Sequence, residues 1–376
     1  MKFNHILKTL ALIIITQSCN KMSQSHEVLI GTYTRKEGHV HGRAPGIYWL
    51  QKTENAEGWN KSIIESPVNP SFIHLTEGNV LYAVSESGPR DGASSYLFSY
   101  ELADGKAQKI DSIQTEGYAA CHVMANQAGT LVMVANYVGG TIRIFRSNKG
   151  ELTALKTFQF EGRGTHPRQD SSHPHMVAMS QDEQNIYVPD LGSNKIWIIQ
   201  HNPQDESFML HKEQPFLQLP KGAGPRHVAI TRERMYVLNE LNSTISVLSI
   251  DPENGGLRLT ESIQTLPENS EVKDNLTAEI EIHPNDRFLY VSNRGHNSVA
   301  VFGIPPDGSL QAIQWVDTRG QIPRHFKIDP TGNTLWVANQ NSDNICVFQI
   351  SPDTGRLKFS HCIEDIKTPV CIAFKK

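Results

Sequence analysis

Cysteine is scarce in this chain: five residues in 376, with no CxxC pair and no His or Cys spacing of the kind that holds a structural zinc. That excludes a disulfide-dense scaffold and leaves no visible metal site. An excess of charge of one sign is missing too. Thirty-five basic and 39 acidic residues are intermixed, for a net charge of −4, and no basic stripe marks a nucleic-acid partner. Long apolar runs are absent: the stretch from Leu10 to Ile15 is too short to span a bilayer. No segment reads as a helix of useful length.

That short apolar run has a meaning of its own. Lys2 and Lys8 flank it, and Thr16-Gln17-Ser18-Cys19 follows, the layout of a secretory signal. A small residue before Cys19 is the pattern of a bacterial lipoprotein cleavage site, although Thr16 and Gln17 are not its usual residues. Residues 1–19 are therefore expected to be a signal peptide ending at a lipidated Cys19, residues 20–27 a polar tether, and 28–376 the folded part. The expected location is the cell envelope, with cytoplasm as the alternative and the lipid anchor as the only tie to a membrane. Of the remaining cysteines, Cys362 and Cys371 fall on strands near the closure point and are candidate neighbours, but Cys121, Cys346, Cys362 and Cys371 read most simply as buried free thiols.

What is abundant is repetition. A hydrophobic strand ending in a small polar or acidic cluster, then a turn and a second strand, returns every 46 to 54 residues, at Ser85, Asn136, Asp190, Asn239, Asn293 and Asn339. Examples are VMVANYVGGTIRIF, IYVPDLGSNKIWII and LYVSNRGHNSVAVF. VLIGTYT at Thr32 is a weaker seventh copy. Each copy has a preceding strand: SFIHL, CHVMA, HMVAM, RHVAI, EIEIH, RHFKI and VCIAF. A further strand follows a Gly turn, as in Lys149-Gly150-Glu151-Leu152. A fixed period of this length, rich in short strands, predicts an all-β, seven-bladed β-propeller. VCIAF has no second strand after it, and VLIGTYT and GIYWLQ have no first strand before them. The N- and C-terminal strands are thus expected to close one blade together, which removes free sheet edges.

In such a fold the start of each innermost strand and the end of the next strand share one rim. That rim collects His122, His173, His175, Arg226, His227, Glu279, Arg324 and His325 from the first set. It collects Tyr33, Glu86, Asn136, Tyr137, Asp190, Asn239, Glu240, Asn293, Arg294, Asn339 and Gln340 from the second. The opposite rim carries ordinary turn residues such as Asn285, Asp286 and Gly332. The Asn or Asp repeated around the ring reads most simply as a turn cap. The charges of Arg226, Glu240 and Arg294 are not repeated, and unpaired charges directed into a cleft point to function.

The motifs NYVGGTIRIF, RQDSSHPHMV, VPDLGSNKI, GAGPRHVAI, LNELNSTISV, LYVSNRGHNSVAVF, IPRHFKIDPTG and WVANQNSDNICVF, in that order, resemble the seven-bladed lactonase family. That family includes the propeller type of 6-phosphogluconolactonase and the fungal carboxy-cis,cis-muconate cyclase, and the resemblance covers residues 28 to 376. It implies hydrolysis of a sugar lactone carrying an anionic group; no cofactor is expected, and the scattered histidines, which lack paired ligand spacing, give no metal site. The implied site is a histidine of HPH (His173 or His175), Arg226, Glu240 and Arg294, with Arg324 extending the basic wall. Glu240 or His175 is the expected base, and Arg226 with Arg294 the anion binders and electrophiles. His173, His227, Arg324, Asp190, Asn136 and Arg168 are the substrate-binding candidates. Arg163, His166 and Arg168, in the loop EGRGTHPRQDSS, are expected to reach a substrate anion. A cyclase or isomerase running the chemistry the other way, and a non-enzymatic binding propeller on the envelope, are the alternatives. The exported start sits poorly with a cytoplasmic phosphorylated substrate.

Overall fold

A computed structural model describes residues 26–38, 40–52, 58–64, 66–89, 94–103 and 105–375. The leader, Cys19 and the tether up to residue 25 lie outside the described residues. The first strand begins at His26, two residues before the expected start of the folded part.

Seven four-position sheets are arranged in chain order around a channel. Blade 1 joins the two ends of the chain: Pro369–Lys375 is innermost, followed by His26–Thr32, Ile47–Lys52 and Asn60–Ile64. Leu29 pairs with Ala373 on one side and with Trp49 on the other, so the termini are stitched into a continuous sheet. The innermost strands of blades 2 to 7 are Ile73–Leu75, Ala120–Ala125, Ala178–Met179, Pro225–Ile230, Leu276–Ile282 and Pro323–Ile328. In blade 4 this strand is only two residues long. Pro174, which has no N–H to give a ladder, keeps just an isolated bridge to Asp190. Its outer strand is also split, Ser207–Leu210 and Phe216–Gln218 pairing with different parts of Lys195–Asn202. A two-stranded hairpin, Lys36–Glu37 with Val40–His41, sits between the second and third strands of blade 1.

The core is divided into wedges between neighbouring blades. Met133, Ile142 and Ile144 of blade 3, for example, pack on Ile186, Val188 and Trp197 of blade 4. Two polar staples recur at these wedges. Tyrosines in the second strands reach to the next blade: Tyr187 Oη donates to Gly255 O (2.9 Å), Tyr236 to Gly308 O (3.2 Å) and Tyr290 to Gly355 O (2.8 Å). At the other end, Asn136, Asn293 and Asn339 donate back to Thr115 O, Thr265 O and Thr318 O, where the preceding blade ends. The backbone presses closely on these amides: a Cβ at Gly320 would lie 2.5 Å from Asn339 Cγ. The repeated Asn is therefore an internal clamp, as its repetition suggests.

The cysteines differ from expectation. Cys346 and Cys362 face each other on the third and fourth strands of blade 7 and form a disulfide. Cys371 lies on the innermost strand of blade 1, away from Cys362, and with Cys121 is a buried free thiol.

Candidate active site

Strict alternation along an innermost strand would send neighbouring residues to opposite faces. Here the ladder slips at the mouth. Pro225 pairs with Asn239 but His227 with Leu238, so Arg226 is the extra residue of a β-bulge. Cys121 and Arg324 occupy the same place in blades 3 and 7. A bulge re-aims the side chain it carries. Arg226 therefore joins an upper ring at the mouth with His175, Arg324, Cys121 and Ser71. His227 joins a lower ring with His122, Glu279, His325 and Phe72.

The outer walls follow a second rule. In blades 1, 2, 3, 5 and 6 a residue at the end of the second strand turns into the blade, and the residue after it faces the mouth. Glu240 follows Asn239, Arg294 follows Asn293, Tyr137 follows Asn136, Glu86 follows Ser85 and Tyr33 follows Thr32. Glu240 is set by its own N–H, which donates to Gly224 O at 2.7 Å.

These two sets meet in one ion cluster. Glu240, 1% exposed, receives Arg226 Nη1 (3.1 Å) and Arg294 Nη2 (3.0 Å) on Oε2, and Arg168 Nη1 on Oε1. Arg226 and Arg294 are fixed from behind by backbone carbonyls: Arg226 Nε donates to Ala278 O (2.9 Å) and Arg294 Nη2 to Thr277 O (2.7 Å). Arg226 Nη1 also contacts His175 Nε2. Arg168 comes from the loop between blades 3 and 4, and its Nη2 donates to Tyr137 Oη at 3.3 Å. His173 stacks on Tyr137 (4.5 Å between ring centres) and is held by Tyr137 O and Asp170 Oδ1, each 2.9 Å away. Across the mouth, Arg324 Nη2 donates to Tyr33 Oη (2.9 Å), which in turn donates to Glu86 Oε2 (2.7 Å), and Ser71 Oγ donates to the same carboxylate.

Burial pushes the Glu240 carboxyl up, but Arg294, Arg168 and Arg226 outweigh it and hold it well below the usual carboxylate range. Burial and the charge of Arg226 hold the His175 imidazole well below its ordinary value, so it is neutral. Cys121 Sγ lies 3.6 Å from His175 Nδ1, the spacing of a Cys–His nucleophile pair. Burial and the Glu86 charge push that thiol up, which leaves it protonated and unreactive. In the lower ring, burial pushes His227 and His325 down and Glu279 up, favouring neutral forms in the channel plug.

The structure thus brings Glu240, His175, Arg226, Arg294 and Arg168 together, with Arg324 across the mouth. Four of the substrate-binding candidates lie elsewhere. Asn136 and Asp190 are wholly buried inside their blades. Asp190 accepts six hydrogen bonds, from Ser172 Oγ, His173 N, Gly192 N, Ser193 N, Ser193 Oγ and Trp197 Nε1, and has nothing left for a ligand. His227 sits one layer below the mouth, its Nδ1 3.0 Å from Glu279 Oε1. His173 props Tyr137 rather than facing the cluster. Arg163 and His166 are exposed on the loop, where His166 Nδ1 accepts from Arg168 N at 3.1 Å. Tyr33, Glu86 and Tyr137 belong to the mouth yet were given no role by sequence reasoning; their place one residue after the clamp is the signal that finds them. Ser71 was missed because it lies two residues ahead of the short innermost strand Ile73–Leu75, where no strand pattern assigns it a direction.

Fold and cluster together define a lactonase-type propeller: the family described as "Lactonase, 7-bladed beta-propeller" matches residues 27–374, and the chain belongs to it. Among curated proteins, it is 27% identical over 352 residues to a 6-phosphogluconolactonase of Bacillus subtilis, covering 92% of this chain and 97% of that protein. It is 31% identical over 305 residues to an uncharacterized Lactococcus lactis protein, covering 80% of this chain and 85% of that one. Among solved structures, the periplasmic gluconolactonase of Pseudomonas aeruginosa aligns with a TM-score of 0.83 and 28% identity, covering 93% of this chain and 99% of that chain.

Proposed function

We propose that this protein hydrolyses a sugar lactone at the Glu240 mouth. The observation that carries the reading is one carboxylate held by three guanidinium groups, two of them fixed from behind by backbone. Fixed cations around a developing oxyanion are the largest single source of acyl-transfer catalysis. The Pseudomonas gluconolactonase and the Bacillus 6-phosphogluconolactonase support the substrate class.

Of the two candidate bases, geometry favours Glu240. The His175 Nε2 lone pair is turned onto Arg226, which cannot swing away because its Nε is tied to Ala278 O. Among the described residues Glu240 Oε1 meets only Arg168, on an accessible loop. In this scheme Glu240 takes a proton as water adds to the lactone carbonyl carbon, and Arg226 faces the oxyanion that forms. The ring C–O bond then breaks, and the ring oxygen leaves as a hydroxyl with the proton returned from Glu240. The hydroxy acid loses its own proton to solvent. His175 orients Arg226.

The test is acid release in a pH-stat across plain and phosphorylated sugar lactones. Activity is expected on at least one; a flat trace on all of them rejects the hydrolase. The pH dependence has a defined sign. Glu240 is held below the usual carboxylate range and His175 below the usual imidazole value, so either base stays unprotonated as pH falls through 6.5. kcat/KM is therefore expected to stay level through that region and to fall only below about pH 4, the ordinary carboxylate range. An acid limb centred near 6.5 contradicts both assignments.

The proposal places the protein in the cell envelope. The leader pattern of residues 1–19 and the Cys346–Cys362 bond both suit export to an oxidising compartment. Membrane fractions are expected to retain the wild type and release Cys19→Ala; an equal distribution of the two argues against lipidation.

A further inference from the structure

Arg168 differs from the other two arginines on Glu240 in every respect that governs mobility. Arg226 and Arg294 are 5% and 6% exposed, hydrogen-bonded to backbone carbonyls, and share Oε2. Arg168 is 36% exposed, contacts no carbonyl through its side chain among the bonds described, and alone covers Oε1. Among the described residues its side chain is held by Glu240 and the Tyr137 hydroxyl alone. The loop beneath it is anchored: Gln169, fully buried, donates to Leu191 O and Asn194 Oδ1, both at 2.7 Å. The geometry is a movable guanidinium on a pinned base.

We propose that Arg168 is a latch that covers the one free oxygen of Glu240 and is drawn off by an anionic group on the substrate. The inference rests on the lactonase reading with Glu240 as base, and it adds a physical reason for preferring lactones that bear a phosphate or carboxylate. Arginine forks grip either anion in two parallel bonds. An anionic lactone offers Arg168 a replacement for Glu240, so binding and exposure of the base occur together. A neutral lactone has to open the same contact with nothing in return. The preference then falls on turnover as well as on binding.

The experiment compares glucono-1,5-lactone with its 6-phosphate on wild type and Arg168→Ala. The variant is expected to lose about 10- to 100-fold in kcat/KM on the phosphorylated lactone, the scale of a charge-assisted contact. On the neutral lactone its kcat is expected to rise several-fold. Glu240 would then face Arg226, Arg294 and His175 only, with Tyr137 and Arg324 nearby, so its proton affinity increases and the acid limb on the neutral lactone moves to higher pH. Parallel losses on both substrates overturn the latch and make Arg168 a support for Glu240. A KM increase confined to the phosphorylated lactone, with the neutral-lactone kcat and pH profile unmoved, also overturns it and leaves a plain anion subsite. If wild type turns over neither these two nor any other lactone of the panel, the lactonase reading fails, and calorimetric binding of inorganic phosphate judges the latch alone. Removing the internal competitor in Glu240→Gln should tighten phosphate about tenfold or more, and Arg168→Ala should abolish it. Phosphate affinity unchanged in Glu240→Gln overturns the latch; should that variant not fold, Glu240→Asp, with a carboxylate one methylene shorter, is read the same way.

Discussion

Glu240→Gln is expected to lower kcat by about a hundred- to ten-thousand-fold, the range of a lost general base, with a much smaller change in KM. The amide keeps the size of the side chain and one acceptor oxygen but cannot take a proton from water. It also faces three guanidinium groups with an NH2, a mismatch that costs stability because those charges are buried. A fall in Tm is therefore part of the expectation, and activity has to be measured on protein shown to be folded by circular dichroism at the assay temperature. His175→Ala is expected to be milder, about tenfold, because His175 acts through Arg226 and not on the reacting atoms. If the histidine variant shows the larger kcat loss and Glu240→Gln stays within about tenfold of wild type, the two roles are reversed. Full activity in both variants removes the site altogether.

The fold was legible because a propeller writes the same local code seven times. Each second strand carries the hydrophobic run that packs a wedge, and four of them carry the Tyr that staples the next blade. Closure was legible from what each end lacked. The disulfide was not. Pairing of Cys346 with Cys362 depends on the register of two adjacent outer strands, and that register shifts by a bulge between Val347 and Phe348. No composition or spacing rule exposes such a slip.

The mouth was legible as a set but not in its layers. Arg226 and His227 are adjacent in sequence, and alternation alone gives no reason for both to line the channel at different depths. The bulge does, by putting Arg226 at the mouth and His227 in the plug. Asp190 and Asn136 stood among the substrate-binding candidates for a related reason, although their repetition pointed to a cap. Being at the end of a second strand looks like being at the rim, yet that position turns into the blade and only the next residue turns out. Asp190 and Glu240 are both acidic residues where such a strand ends, and a single step along the chain separates a structural clamp from the centre of the cluster.

That step gives the second large effect. Asp190→Ala is expected to destabilise the protein by about 3–5 kcal/mol, the cost of breaking a buried charged hydrogen-bond network, and to lower Tm by roughly 4–7 °C. The carboxylate is fully buried and holds six donors at 2.5 to 3.2 Å: two serine hydroxyls, three backbone N–H groups and the Trp197 indole. Removing it leaves those donors without an acceptor in a place water enters poorly, so the penalty exceeds the net worth of the bonds themselves. It also frees the segment from Ser172 to His175, which has little strand pairing of its own because of Pro174. Asp190→Asn is expected to fall between wild type and Ala: one amide oxygen still accepts, while the NH2 opposes donors. Chemical denaturation and thermal melts read the effect directly, and kcat/KM of the folded variants should change far less than in Glu240→Gln. Melting unchanged in Asp190→Ala, with KM raised at least tenfold, would return Asp190 to the substrate and contradict the rule that the clamp faces inward while its neighbour faces the mouth.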